Sequence, residues 1–248
     1  MQSLLKKISL SRNDLKLSAI VAMTIDHITW TFFPGYNQNV FVLMLHLIGR
    51  LTAPIMCFFV AEGYHYTKNF KSYAKRLFAL AVISHFAYCF CFALPYVPFK
   101  YTFFNGTGIV WSLFFGLLML GLNDNKNFSE FQKLIIILLC CVITFPSDWS
   151  CVAMMMVFFI GANRGSFKAQ MTYMVLMTAI YSVIYFIFLD KLYGILQMGT
   201  ILSIPLLAKY NGEKGDKAVS NKLFYIYYPA HLFVLGLVRV FLEMVGYY

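Results

Sequence analysis

Apolar residues fill long stretches of the chain, and short breaks of polar residues, glycine or proline separate one stretch from the next. A helix needs about 20 mainly apolar residues to cross a bilayer. The pattern predicts an all-α, polytopic integral membrane protein with about nine transmembrane helices. The predicted spans cover about 15–33, 39–63, 74–95, 107–122, 131–146, 149–162, 170–189, 193–209 and 222–245. The fifth and sixth are short and flank FPSDWS at 145–150, so this pair either crosses the membrane or re-enters it.

The composition supports the same fold class. Of the 248 residues, 60% are apolar and 12% are charged, whereas soluble domains have about 45–50% and about 25%. We expect a single integral membrane domain over 1–248, with a basic cytoplasmic segment at 1–14. The six cysteines lie in or near apolar runs and form no C-x-x-C pair. They indicate buried thiols, with no disulfide framework and no metal site.

The positive charges are distributed unevenly over the segments that flank the predicted spans. Of the 20 lysines and arginines, 16 fall in or next to one alternating set of segments, two in the other set, and two, Arg50 and Arg239, inside spans. Because cytoplasmic loops carry the excess of Lys and Arg, the N-terminus is predicted inside and the C-terminus outside. The net charge of +10 therefore marks cytoplasmic loops. We expect no nucleic-acid partner, since there is no soluble basic domain to bind one.

Several ionisable side chains fall inside the predicted spans, where they are costly and usually functional. Asp26 and His27 lie about 10 Å below the outer face, at 1.5 Å per residue. The same estimate gives this depth to His46 and Arg239, and places Arg50 about one turn deeper. Neighbouring positions on a helix point about 100° apart, so Asp26 cannot orient His27. An ionised Asp26 needs a partner, either Arg50 or Arg239.

From the residues alone, two interpretations of this layer are equally supported. In one, a buried Asp–Arg pair ties helices together and His27 forms a hydrogen bond nearby. In the other, the pair leaves His27 available as a base for catalysis. His231 is predicted on the cytoplasmic half of the last helix, below this layer.

Other polar residues are weaker candidates. Glu62 and His65 are spaced as in carboxylate-bridged metal helices, but the chain has no second copy of that motif. Glu62 is therefore expected to cap a helix or to pair with a basic residue such as Lys68. Asn105 and Asp148 are predicted outside, where they either contact an extracytoplasmic substrate or serve as turn and capping residues.

The segment KYNGEKGDK at 209–217 contains the candidates Asn211 and Gly212. Its spacing does not match the phosphate-binding G-x-x-x-x-G-K-[ST] loop. Lysines and backbone N–H groups nevertheless suit a phosphate-bearing ligand. The alternative is an ordinary solvated turn.

Five segments, taken in order, resemble the TraX family, named for the conjugation protein associated with N-terminal acetylation of pilin. They are KLSAIVAMTIDHI, IGRLTAPIMCFFVAEGYHYTKNFKSYAKRL, NGTGIVWSLFFGLLML, SDWSCVAMMMVFF, and KYNGEKGDK followed by KLFYIYYPAHL. The first two and the last are the specific ones. Together they cover most of the chain.

TraX-like proteins are in turn similar to multi-pass membrane acyltransferases. The resemblance implies acetyl-CoA or another acyl-CoA as donor, loaded from the cytoplasm, with no metal. It implies a protein, lipid-linked or glycan acceptor presented at the bilayer or outside, and a location in the bacterial cytoplasmic (inner) membrane. The basic loops Lys68–Arg76 and Lys209–Lys217 would attract the phosphates of coenzyme A.

The resemblance also implies roles for individual residues. His27 would act as general base on an amine or hydroxyl, with Asp26 as its neighbour and Arg50 as the group that stabilises the oxyanion. No G-x-S-x-G motif or suitably placed cysteine indicates a covalent acyl-enzyme. The residues assigned to substrate binding are Asn105, Asp148, Glu62, Arg239, His231, Asn211 and Gly212.

Two other classes of protein compete with this interpretation. A proton-coupled transporter or flippase would use the buried Asp, His and Arg groups as a relay or an anion site. The chain shows no convincing internal repeat, which argues against an inverted-repeat transporter. A non-enzymatic assembly or anchoring protein would not need polar groups that converge so deep in the bilayer.

Overall fold

The computed structural model describes residues 9–97, 105–215 and 221–247. Within these residues all regular structure is helical, so the all-α prediction is confirmed for them. The helices are α1 (Arg12–Phe32), α2 (Val40–Gly49), α3 (Thr52–Tyr66), α4 (Phe70–Cys91), α5 (Val110–Asn123), α6 (Glu130–Thr144), α7 (Ser150–Ala162), α8 (Phe167–Phe188), α9 (Lys191–Gln197), α10 (Ile204–Ala208) and α11 (Asn221–Met244). A 3₁₀ turn (Met198–Ser203) joins α9 to α10.

Local sequence explains where several helices begin. Ser11 caps α1 and forms a capping box with Asp14, and Ser129 does the same for α6 with Gln132. In each box the side chains satisfy backbone N–H groups that have no partner within the helix. The helices therefore begin where polar capping residues precede an apolar run.

The bundle is built around α7, which packs against α3, α5, α6 and α8. Its core contains large side chains that are fully buried, such as Ile55, Leu117 and Met156. On the face of α6 that points away from this core, Phe131 and Val142 are 71% and 65% exposed. An apolar outer surface of this kind suits contact with lipid acyl chains.

Within the described residues, five helices or broken helices are long and apolar enough to cross a membrane. They are Val40–Tyr66, Phe70–Cys91, Phe167–Phe188, Lys191–Ala208 and Phe224–Met244. The predicted spans coincide in position with helices, but the structure does not support the count of nine. The orientation of the termini stays a prediction.

The shortfall has two physical causes. Helices α5, α6 and α7 have 14, 15 and 13 residues, so each is only about 20–23 Å long, against about 30 Å of hydrocarbon. Helix α1 is long enough, but its ionisable residues lower its hydropathy, and it directs Asp26 and His27 into the bundle. An apolar run in the sequence is therefore a good sign of a helix and a poorer sign of a complete span.

Candidate active site

A buried ionic cluster joins α1 to the junction between α2 and α3. Arg50 donates from Nη2 to both carboxylate oxygens of Asp26, at 3.0 and 2.9 Å. His46 Nδ1 donates to Asp26 Oδ1 at 2.8 Å. His46 and Arg50 are four residues apart, so the helical turn presents both to one carboxylate. Of the two partners predicted for Asp26, the structure selects Arg50.

Further contacts hold Arg50 in place. Its Nη1 donates to Gln197 Oε1 of α9 at 2.9 Å, and its Nε donates to the His46 carbonyl at 3.2 Å. Gly49 lets α1 and α2 approach closely, because a side chain there would overlap the Asp26 carboxylate. Residues of α1, α2 and α9 therefore hold the cluster together.

Two histidines from α1 and α11 lie against each other. His27 Nδ1 is 2.8 Å from His231 Nε2, and the rings stack with centroids 5.1 Å apart. His231 Nδ1 lies 3.0 Å from the carbonyl oxygen of Tyr227. A carbonyl only accepts, so His231 carries its proton on Nδ1 and, when neutral, accepts on Nε2.

This arrangement fixes the tautomer of His27. Because His231 Nε2 accepts, the neutral His27 ring donates from Nδ1 and keeps a lone pair on Nε2. In the part of the chain that the structure describes, nothing forms a hydrogen bond with that Nε2. His27 therefore has the form that a general base requires.

His27 lines a small cavity of about 40 Å³. The other acidic and basic side chains that line it are those of Asp26, Arg50 and Asp148. The remaining wall is formed by Met23, Gly49, Thr52, Ala53, Ile109, Trp149 and Tyr228. A water molecule needs about 10–15 Å³ by this kind of measure, so the cavity has room for about three waters or a small polar group.

Asp148 reaches the cavity from a strained turn. Its backbone N–H donates to the Thr107 carbonyl at 2.7 Å, which ties the turn to the segment before α5. The next two residues, Trp149 and Ser150, have φ of 64° and 48°, a left-handed conformation that costs about 1–3 kcal/mol per residue. Trp149 stacks on Tyr181 with centroids 4.7 Å apart. Among the described residues, no side chain donates a hydrogen bond to the Asp148 carboxylate.

Three of the other predicted site residues lie away from this cavity. Asn105 occupies a turn with φ of 53°. Glu62 accepts from Arg164 Nε at 3.4 Å instead of pairing with Lys68, and it lines a larger groove. Arg239 pairs with Glu243, one turn along α11, and not with Asp26.

His231 corrects the predicted depth. It was expected below the His27 layer, yet it contacts the His27 ring. The prediction measured depth from the ends of the apolar runs. Helix α11 has 24 residues, which is about 36 Å, so its middle packs beside the second half of α1.

Asn211 and Gly212 serve a turn at the start of α1. The backbone N–H of Asn211 donates to the Leu10 carbonyl at 3.0 Å. The backbone N–H of Leu10 donates to the Lys209 carbonyl at 2.8 Å. Gly212 has φ of 77°, which favours glycine. These residues line neither the small cavity nor the groove.

Two residues of the cluster were not assigned to a site from the sequence. His46 was predicted at the same depth as Asp26, which it contacts in the structure, and its spacing of four from Arg50 was the signal that links the two. Gln197 is an amide inside an apolar run and is only 1% exposed. A polar side chain in such a run generally has a buried partner, but the sequence does not show which one.

Comparison with known proteins adds independent information. A family model described as TraX protein matches residues 11–239. A protein of Dichelobacter nodosus named "Probable fimbrial assembly protein FimC, serogroup H1" is 26% identical over 245 residues, which is 96% of this chain and 99% of that protein. No solved structure matches the chain.

Proposed function

Because the chain belongs to the TraX family, we propose that it is a membrane-embedded acyltransferase. It moves an acetyl or other acyl group from cytoplasmic acyl-CoA to an amine or hydroxyl of an acceptor in the membrane or outside. The family is linked to pilin acetylation and fimbrial assembly, which favours acetyl as the group and a protein amine as the acceptor. One observation supports the proposal most directly. His27 keeps a lone pair on Nε2, and the His27 ring lines a polar cavity where this lone pair can accept a proton.

The proposed reaction is direct transfer without an acyl-enzyme. The acceptor nitrogen or oxygen attacks the thioester carbonyl carbon while His27 Nε2 removes its proton. The new C–N or C–O bond forms, the C–S bond breaks, and the proton passes from His27 to the departing thiolate. A positioned base of this kind is worth about 10²–10⁴ in rate.

In the proposed reaction, Arg50 stabilises the oxyanion that forms on the carbonyl. Its guanidinium has five N–H donors, and the four hydrogen bonds to Asp26, Gln197 and the His46 carbonyl leave one donor on Nη1. Since Arg50 lines the cavity, this donor suits a developing negative charge. Asp26 and His46 then act as positioning residues for Arg50.

Asp148 has a different role in the proposal. A carboxylate that lines the cavity, and to which no described side chain donates, suits the N–H groups of an incoming amine in its neutral, nucleophilic form. Holding the amine there would place its nitrogen near His27. The strained turn at Trp149 is consistent with a backbone conformation kept for function.

The interlocked cluster favours an enzyme over a transporter. A proton-coupled transporter needs its buried charges to change partners during the cycle. Asp26 instead accepts three hydrogen bonds from two residues, and Arg50 is held from α9 as well. A fixed cluster of this kind suits preorganised catalysis.

The proposal includes a location and a topology. We infer a multi-pass protein of the bacterial cytoplasmic membrane, with the N-terminus inside and the C-terminus outside, as the distribution of Lys and Arg predicts. The donor would then arrive from the side on which α1 begins.

Coenzyme A release tests the proposed activity. The purified protein in nanodiscs is mixed with acetyl-CoA and with a peptide that has either a free or a blocked N-terminal amine. We expect the free amine to stimulate release of the coenzyme A thiol and to become acetylated. No acetylation of any amine or hydroxyl acceptor, together with proton-driven solute uptake into vesicles, would identify a transporter instead.

A further inference from the structure

A second and larger cavity opens beside the catalytic one. It is a groove of about 400 Å³ bounded by α1, α3, α4, α5 and α11. Its inner wall is apolar and includes Met56, Leu77, Leu80, Val110 and Leu113. Aromatic residues, Glu62 and three cations are also part of the lining, the cations being Arg12, Lys16 and Arg76.

The groove and the catalytic cavity lie next to each other along α1, α3 and α11. On α3, Met56 lines the groove and Ala53, about one turn away, lines the cavity. On α11, Tyr225 and Tyr228 repeat this relation. Along α1, Lys16 and His27 are separated by about 16 Å at 1.5 Å per residue. A ligand that enters beside the cations therefore reaches the base only if it is long and narrow.

The three cations give the groove a positive mouth. Arg12 lies 5.6 Å from the centre of the Tyr66 ring, and Arg76 lies 5.9 Å from that of Tyr73. The ion pairs found among residues 9–97, 105–215 and 221–247 include neither arginine. The charges of these two arginines are thus available to an anionic ligand.

Among the described residues that line the groove there is one carboxylate, which does not cancel this charge. Glu62 Oε1 lies 3.4 Å from Arg164 Nε, so its charge is already paired with that arginine. An anionic head group at the mouth and a neutral arm along the apolar wall match the chemistry of the groove. Phosphates on a long, uncharged linker have this combination of properties.

We infer that this groove holds the acyl donor. The phosphates of the coenzyme A thioester bind at Arg12, Lys16 and Arg76, and the neutral arm that bears the acyl group follows α3 and α11 to His27. This assignment rests on the proposed function. It differs from the expectation that the loops Lys68–Arg76 and Lys209–Lys217 bind the phosphates, because most of the positive mouth comes from α1.

Equilibrium binding tests the assignment. The full chain in nanodiscs of neutral phosphatidylcholine is titrated with acetyl-CoA and with acetyl-pantetheine, which lacks the phosphates. We expect acetyl-pantetheine to bind at least about tenfold more weakly, and Arg12→Gln and Arg76→Gln each to weaken acetyl-CoA binding about tenfold. Lys133→Gln is the matched control, since Lys133 pairs with Glu130 on α6, away from the groove. It should bind acetyl-CoA like the wild type.

The results separate this assignment from the proposed function. If the wild type transfers acetyl groups but the arginine variants keep both Kd and KM, the groove is not the donor site. If the variants lose binding but the wild type never acylates an acceptor, the site stands and the proposed function fails. If the two arginines are needed for binding of anionic phospholipid in the nanodisc but not for binding of acetyl-CoA, the groove binds lipid headgroups and the assignment is overturned.

Discussion

Replacing Asp26 with Asn removes the charge that compensates Arg50 while almost preserving the shape of the side chain. Asp26 is the acceptor for two hydrogen bonds from Arg50 and one from His46. Asn offers one oxygen, and its amide group is itself a donor. At least one donor of Arg50 or His46 then faces another donor, and the Arg50 side chain, only 10% exposed, is left with an uncompensated charge.

The size of the effect follows from this loss. Breaking a buried ion pair by removing one partner costs about 3–5 kcal/mol. For a chain of this length, each kcal/mol corresponds to about 2–4 °C in Tm, so the expected drop is about 6–20 °C. Because a surface ion pair is worth at most about 1 kcal/mol, the two cases differ well beyond experimental error.

The assay is thermal unfolding of both kinds of variant in the same detergent. Glu130→Gln is the matched control, because Glu130 is also paired with a cation but is 89% exposed. Adding Arg50→Gln to Asp26→Asn should cost less than the sum of the two single changes, since the second change removes the uncompensated charge. If Asp26→Asn lowers Tm no more than Glu130→Gln does, the buried pair does not stabilise the fold.

Three further predictions concern packing, the tautomer of the base and topology. Gly49→Ala should lower stability by about 1–3 kcal/mol, because its methyl group would overlap the carboxylate opposite; an unchanged Tm would contradict the packing described for α1 and α2. His231→Leu should lower kcat more than about tenfold without raising KM. His231→Gln keeps an acceptor for His27 Nδ1 and should retain most activity. An equal loss of activity in both variants would indicate a purely structural role for His231. Reporter fusions at Lys71 and Tyr248 should report opposite sides of the membrane, and finding both on one side would refute the topology.

Much of the fold could be predicted because apolar runs and polar breaks follow directly from the cost of placing polar groups in lipid. A cationic partner for Asp26 was predictable for the same reason, since an ionised carboxylate at that depth requires a cation, but the choice between Arg50 and Arg239 was left open. The preference of Arg239 for Glu243 was also visible in principle, because the two are four residues apart on one helix.

Other features depend on contacts that no local pattern determines. The depth of His231 depends on how far α11 slides along α1. The entry of Asp148 into the site depends on two left-handed residues, Trp149 and Ser150, whose identities do not favour that conformation. Tertiary packing imposes this turn. The sequence of 145–150 alone therefore predicted Asp148 only in a loop on the outer side of the membrane, and not in the cavity.

The most direct test of the account compares acetyl transfer by the wild type and by His27→Gln. Gln keeps a polar side chain beside His231 but cannot take up a proton as a base. We expect the variant to fold and to bind acetyl-CoA with unchanged affinity, because the groove cations and not the imidazole hold the donor. Its rate of transfer to a free amine should fall by about 10² or more. Transfer at near the wild-type rate by a folded His27→Gln protein would contradict the assignment of His27 as the base.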